Sequence, residues 1–139
     1  MFETVVVGAA DSEGATKAFR RALAVTRTTG GTLHIVAAID GKGESEQAPW
    51  LPEEFRYTDA GAGATDWLLT KLAKEAAAVN VEVAMHPVLD DPAGAITRVA
   101  AAEKADLVVV GSGSGHGVRS LSDVPKSVMD HVTCAVLVV

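Results

Sequence analysis

The stretch Ala105–Val139, ADLVVVGSGSGHGVRSLSDVPKSVMDHVTCAVLVV, decides the fold of this chain. Its apolar run, Leu107–Val110, breaks into a loop with glycines at positions 111, 113, 115 and 117. A short helical segment follows and leads into a second apolar run, Ala135–Val139. A continuously apolar run is typical of a central strand buried on both faces. Because backbone N–H groups of a glycine loop at a helix start can hold an anion, the stretch predicts a binding site without naming its ligand.

Composition places the chain among acidic single-domain proteins. With 139 residues it can bury a core without disulfides or metal, and we expect one domain over residues 1–139. The formal net charge of -6 disfavours nucleic acid and anionic membranes as partners, because their phosphates would repel the protein. Cys134 is the only cysteine, and its apolar neighbours indicate a small buried hydrophobe rather than a reactive thiol. With no basic leader and no apolar stretch of roughly 18 residues, we expect a cytoplasmic protein.

Strands and helices are predicted to alternate along the chain. The patterns predict strands at 4–7, 33–39, 81–89, 106–110 and 134–139, and helices at 12–29, 59–79, 92–104 and 124–131. Pro87 favours a sheet edge for the third strand, because proline cannot donate to a ladder. Apolar strands alternating with helices predict an α/β fold: a single doubly wound five-stranded parallel sheet, order 3-2-1-4-5, with helices on both faces. Ligands of such sheets bind at the switch in winding direction, so Gly8–Ser12 and Gly111–Asp123 should meet there.

Residues 41–58 have a different character. They contain two prolines, two glycines and no clean period, which indicates a long loop. Four large apolar residues are concentrated in this loop: Trp50, Leu51, Phe55 and Tyr57. They predict either packing back onto the core or a lid or contact surface.

The chain resembles the universal stress proteins over its whole length. The resemblance rests on VVVGAADSEGATKAFRRAL at 5–23, LHIVAAID at 33–40, DDPAGAI at 90–96, ADLVVVGSGSG at 105–115 and SVMDHVTCAVLVV at 127–139. It implies a Rossmann-like domain, usually a homodimer paired through the last strand. Here that strand supplies Ala135, Val136, Leu137, Val138 and Val139. In ATP-binding members, the resemblance implies that phosphates and ribose lie on a loop of pattern G-x2-G-x9-G-[S/T], with adenine near an aspartate after strand one.

The phosphate loop implied by the resemblance is degenerate in this chain. Gly111 matches the first glycine, and the second falls on Ser114 between two other glycines. Aligned backward from Cys134, the last glycine falls on Ser122 and the Ser/Thr on Asp123, in a loop about two residues short. At a distance of 4 Å and an effective dielectric near 20, a carboxylate there would repel a phosphate charge by about 4 kcal/mol. That energy corresponds to a loss of about three decades in the affinity for the phosphate. An aspartate at a helix start is also an ordinary cap.

The adenine side departs from the family pattern too. Ala10 falls on the aspartate position, Asp11 on the adjacent glycine, and Ala38 on the adenine contact at the end of strand two. The candidate nucleotide-binding residues are Gly8, Ala10, Asp11, Ser12, Ala38, Val110, Gly111, Ser112, Gly113, Ser114, Gly115, Ser122, Asp123 and Val124. These departures favour a homodimeric stress-response interaction module with weak or absent ATP binding and an unidentified protein partner. The alternative is a sensor of ATP, AMP or cyclic AMP, with magnesium.

Other chemistries find less support. His116 could contact an anion but is more simply a solvated loop residue, and His34, His86 and His131 are too scattered to predict a metal site. The run Gly-Ser-Gly-Ser-Gly resembles a nucleophile elbow without the required partner order. A receiver domain would need an acidic pair after strand one and a lysine after strand five, and an ATP-cleaving synthetase would need an S-G-G-x-D-S loop. We therefore expect no enzyme, with weak ATPase activity left open.

Overall fold

The computed structural model describes residues 1–39, 62–112 and 123–139, in which strands and helices alternate. The elements are β1 (Thr4–Ala9), α1 (Glu13–Thr29), β2 (Thr32–Ile39), α2 (Ala62–Ala78), β3 (Glu82–Leu89), α3 (Pro92–Glu103), β4 (Leu107–Val110), α4 (Asp123–His131) and β5 (Ala135–Val138). They form one five-stranded sheet of order β3-β2-β1-β4-β5. Every pairing is parallel. The predicted fold class and strand order are confirmed.

Two apolar cores cover the two faces of the sheet. On one face, Val5, Val7 and Ile35 pack with Phe19 of α1 and Leu72 of α2. Burying a side chain such as Phe19, which is 1% exposed, stabilises the fold by roughly 1.5–3 kcal/mol. Because successive residues of a strand point to opposite faces, the residues between these belong to the second core. That core contains Val6, Val36, Val108, Ile96 of α3 and Val128 of α4.

The ends of α1 follow from its sequence. Ser12 is the N-cap, and its Oγ accepts a hydrogen bond from the Ala15 N–H at 3.2 Å. Gly30 ends the helix in the left-handed region at φ 74°, which glycine adopts without steric cost. Its N–H donates to the Thr26 carbonyl oxygen at 2.9 Å. The Ser12 cap thus fixes where the loop after β1 enters the helix, and the Gly30 cap fixes where the chain leaves it toward β2.

The predictions for β3 and α3 are also confirmed. Strand β3, which contains Pro87, lies at an edge of the sheet. Asp91 caps α3, with Oδ1 accepting from the Gly94 N–H at 2.7 Å, and Pro92 occupies the first helical position. The predicted loop at 41–58, with Trp50, Leu51, Phe55 and Tyr57, lies outside the described residues. No helix in the described part of the chain is long and apolar enough to cross a bilayer.

Candidate functional site

A cavity of about 360 Å³ opens at the carboxyl ends of the central strands. Its walls come from the end of β1, the start of α1, the end of β2, α2, the start of α3 and the end of β4. The residues that line it are Gly8, Ala9, Ala10, Asp11, Ser12, Gly14, Ala15, Val36, Ala37, Ala38, Thr65, Trp67, Leu68, Pro92, Ile96, Val110, Gly111 and Val124. The volume lies near the lower limit of ordinary small-molecule sites.

The residues directly after β1 and β4, which begin the two predicted loops, meet at this cavity. Gly111, directly after β4, lies so close to Gly14 in the first turn of α1 that an added Cβ would stand 2.5 Å from the Gly14 carbonyl oxygen. Gly8 is also tightly placed, since a Cβ there would lie 2.8 Å from Cδ1 of Ile96 in α3. Glycine at these two positions therefore lets backbone, rather than side chains, form the floor of the cavity.

The start of α1 lies at the same cavity, which Ser12, Gly14 and Ala15 line. The first N–H groups of a helix lack intrahelical acceptors and carry the positive end of the helix dipole. Ser12 lines the cavity, and its Oγ accepts from Ala15. The hydroxyl therefore retains its own hydrogen for donation. The first turn of α1 can thus offer hydrogen-bond donors to a polar or anionic ligand group.

The electrostatics of the cavity favour a ligand of low negative charge. None of the described residues that line it is lysine, arginine or histidine. The exposed residue Asp11 is among them and contributes a carboxylate. Because a carboxylate repels each added phosphate charge, the described part of the site is better suited to one phosphate than to three.

Eight of the sequence-predicted nucleotide residues line the cavity. They are Gly8, Ala10, Asp11, Ser12, Ala38, Val110, Gly111 and Val124. Ser112 does not, and its N–H donates to the Val139 carbonyl oxygen at 2.7 Å, so that donor is already occupied. Gly113, Ser114, Gly115, Ser122 and the side chain of Asp123 lie outside the described residues, although α4 begins at Asp123.

Sequence reasoning missed the contribution of α2. Thr65, Trp67 and Leu68 line the cavity, and Trp67 supplies a large aromatic surface at its wall. Nζ of Lys71, one turn further along α2, lies 5.4 Å from the centre of the Trp67 ring. The spacing of Leu68 and Leu72 indicates the buried stripe of this helix, but not which turn reaches the carboxyl end of the sheet. That relation depends on the tertiary packing.

The expectation that the histidines are scattered is wrong for two of them. His34 Nδ1 and His86 Nε2 lie 2.9 Å apart, and the rings are tilted with centroids 5.1 Å apart. The pairing of His34 with Ala84 and of Val36 with His86 places the two histidines as diagonal neighbours on one face of the sheet. Pattern alone does not give the register between two strands, so this proximity could not be read from the sequence. His131, in α4, instead makes a 2.7 Å contact from Nδ1 to the Ser127 carbonyl oxygen.

The last strand occupies the other edge of the sheet. Strand β5 pairs only with β4 among the described strands, and Val138 is 41% exposed. The ladder continues past the strand, because Val139 donates its N–H to the Val110 carbonyl oxygen at 2.9 Å. Cys134, just before β5, is half-buried against the second core. Burial raises the pKa of its thiol, with a smaller contribution in the same direction from Asp106.

The described sheet and cavity define a doubly wound α/β protein with a cavity at the switch point of its sheet. The model of the universal stress protein family matches residues 1–139. The chain belongs to the universal stress protein family. Comparison with curated protein sequences found no match.

Similar solved structures cover almost the whole chain. A universal stress protein in complex with cAMP is 28% identical, with a TM-score of 0.73 over 99% of this chain and 96% of that one. A universal stress protein from Archaeoglobus fulgidus in complex with dAMP is 18% identical, with a TM-score of 0.71 over 99% and 98%. A family protein from Arabidopsis thaliana with AMP bound is 17% identical, with a TM-score of 0.67 over 98% and 90%.

Proposed function

We propose that this protein is a stress-response protein that binds an adenine nucleotide of low charge, AMP or cyclic AMP, in the cavity at the carboxyl ends of β1, β2 and β4. The observation that carries the proposal is the cavity itself. It is open at the switch point, it includes the close contact between Gly14 at the start of α1 and Gly111 directly after β4, and it lacks a basic side chain among the described lining residues. The likeness to a family member in complex with cAMP supports the same ligand class.

Two walls of the cavity suit the adenosine part of such a ligand. Ala38 and Ile96 provide an apolar surface, and Trp67 provides an aromatic one. Bases stack on aromatic faces whatever their identity, so these walls suit a nucleobase without selecting the phosphate. The start of α1 then lies in position to donate hydrogen bonds to the ribose or phosphate.

Calorimetry with cyclic AMP, AMP and ATP plus magnesium tests this proposal. We expect both monophosphates to bind more tightly than ATP, because the Asp11 carboxylate opposes the extra charge. The variant Ala38→Trp should weaken binding at least about tenfold, since its ring would fill a cavity near the lower size limit for ligand sites. Ala24→Trp, at an exposed position of α1, is the matched control and should bind as the wild type does. If none of the three nucleotides gives heat of binding at millimolar concentration, the proposal is excluded.

A second candidate function is that of a homodimeric interaction module paired through β5. It is favoured by the edge position of β5 and the exposure of Val138. Deleting residues 135–139 would be a poor test, because Val139 also bonds Val110 and Ser112 beside the cavity. We expect Val138→Lys to yield monomers by light scattering, whereas Leu89→Lys, 74% exposed at the end of the opposite edge strand, should not. A Val138→Lys protein with the mass of a dimer would contradict this second function.

A further inference from the structure

A third potential metal ligand lies beside the histidine pair between β2 and β3. One nitrogen of His34, one nitrogen of His86 and a carboxylate oxygen of Glu103 all lie within 4.8 Å of one another. His34 is 7% exposed, His86 is half-buried and Glu103 is exposed, so the cluster extends from the core to the surface. We propose that His34, His86 and Glu103 form a binding site for a divalent transition metal ion, with Zn²⁺ as the preferred ion.

The geometry of the pair is close to that of a metal site. Zn²⁺ binds histidine nitrogen at about 2.0–2.1 Å, so two nitrogens on a tetrahedral ion are about 3.3 Å apart. The observed separation of 2.9 Å between His34 Nδ1 and His86 Nε2 requires the rings to part by only a few tenths of an ångström. The three ligands come from β2, β3 and the last residue of α3, so an ion would connect three elements.

The chemistry of the three groups selects the class of ion. Two imidazoles and one carboxylate suit Zn²⁺ and other late transition metals, whereas Mg²⁺ and Ca²⁺ prefer oxygen ligands alone. In the neutral pair, one of the two facing nitrogens donates and the other accepts. Metal binding therefore requires the ring that donates to carry its hydrogen on its other nitrogen. Both facing nitrogens then present a lone pair to the ion.

The position of Glu103 gives a second argument. It is the last residue of α3, where the negative end of the helix dipole disfavours a carboxylate. Within the described residues, no lysine or arginine lies in ion-pair distance of Glu103. A cation held between Glu103 and the two histidines would offset that unfavourable placement.

The cluster is separate from the nucleotide cavity. Pro92 at the start of α3 lines the cavity, whereas Glu103 ends the same helix. A helix of 12 residues is about 18 Å long. The proposed metal site therefore does not depend on the proposed nucleotide function.

Titration of the chelator-treated full-length protein with ZnCl₂ in a calorimeter tests this site, and the visible absorption of bound Co²⁺ reports its coordination. We expect one ion per chain, a tetrahedral cobalt spectrum and a rise in Tm of about 5–10 °C at saturating zinc. His86→Ala and Glu103→Gln should each weaken binding by more than about tenfold. His131→Ala removes a histidine outside the cluster and should bind zinc as the wild type does.

Several results would overturn the proposal. One is the failure of the wild-type protein to bind either zinc or cobalt. The cluster would then be only a hydrogen-bonded histidine pair beside a carboxylate. Another is unchanged affinity in Glu103→Gln, an exposed substitution that should not disturb folding. A loss of binding in His131→Ala equal to that in His86→Ala would place the ion elsewhere.

Discussion

The backbone of Gly111, directly after β4, lies against the backbone of Gly14 in the first turn of α1. A Cβ on Gly111 would stand 2.5 Å from the Gly14 carbonyl oxygen and 3.2 Å from the Gly14 Cα. Real Cβ atoms essentially never approach other atoms as closely as the first of these distances. The contact joins two parts of the chain that are distant in sequence, and it fixes the floor of the cavity proposed to bind a nucleotide.

Gly111→Ala should therefore affect both stability and binding. The added methyl meets backbone rather than a flexible side chain, so we expect a loss of about 1–3 kcal/mol in the free energy of unfolding and weaker binding of cyclic AMP. Gly30→Ala is the control, because Gly30 has φ 74° and no atom within 4 Å of an added Cβ. It should cost about 1 kcal/mol and leave binding unchanged. Urea denaturation and calorimetry measure the two effects, and a Gly111→Ala protein as stable as the wild type would contradict the observed packing.

The charge of Asp11 should set the preference between nucleotides. We expect Asp11→Asn to raise the affinity for ATP by a few-fold, and that for cyclic AMP by less, because the removed charge repels three phosphates more than one. Asp130→Asn makes the same change in net charge at an exposed position of α4 that does not line the cavity. That control should leave all affinities unchanged. Equal gains in both variants would attribute the effect to net charge instead of to the cavity.

Ser12 should have two separable roles. Ser12→Ala removes the acceptor for the Ala15 N–H and should cost about 1 kcal/mol of stability, as measured by urea denaturation. Ser12→Asp retains a capping acceptor and should keep the stability near that of the wild type. In the same variant the new carboxylate would line the cavity, so AMP should bind more weakly. An unstable Ser12→Asp protein, or one that binds AMP as well as the wild type, would contradict this division.

Cys134 should be unreactive at neutral pH. Because burial raises the pKa of its thiol above the ordinary value of 9.0, the thiolate that reacts is scarce, and labelling with a thiol reagent at pH 8 should be slower than for a free cysteine. The raised pKa favours the protonated form in the folded state. The contribution of the Cys134 thiol to stability is thus present below pH 9.0 and is lost as the pH rises through the pKa of the folded state. The stability of Cys134→Ala should therefore fall less at alkaline pH than that of the wild type. Identical pH profiles of stability for the two proteins would contradict a contribution from the thiol.

Much of the fold could be predicted from the sequence because local signals determine it. The apolar run at Leu107–Val110 predicts a strand buried on both faces, and Asp91-Pro92 predicts the start of α3. Pro87 predicts an edge strand for the same local reason. The meeting of the residues directly after β1 and β4 then follows from the topology of a doubly wound sheet.

The site could be predicted only in part, because its remaining features depend on tertiary relations. Trp67 reaches the cavity because of how α2 packs on the sheet, which its apolar stripe does not specify. His34 and His86 become neighbours through the register of β2 and β3, 52 residues apart in the chain. The predicted conflict between the Asp123 carboxylate and a phosphate lies outside the described residues and stays a prediction.

The most direct test of the nucleotide site is a titration of the ¹⁵N-labelled protein with cyclic AMP, followed by amide NMR. Gly8, Gly14 and Gly111 line the cavity, and glycine amides occupy a distinct region of the spectrum. Saturable shifts of these three amides, with His86 unaffected, are the predicted result. Shifts confined to residues away from the cavity, or no shifts at millimolar cyclic AMP and AMP, would contradict a nucleotide site at the switch point of this sheet.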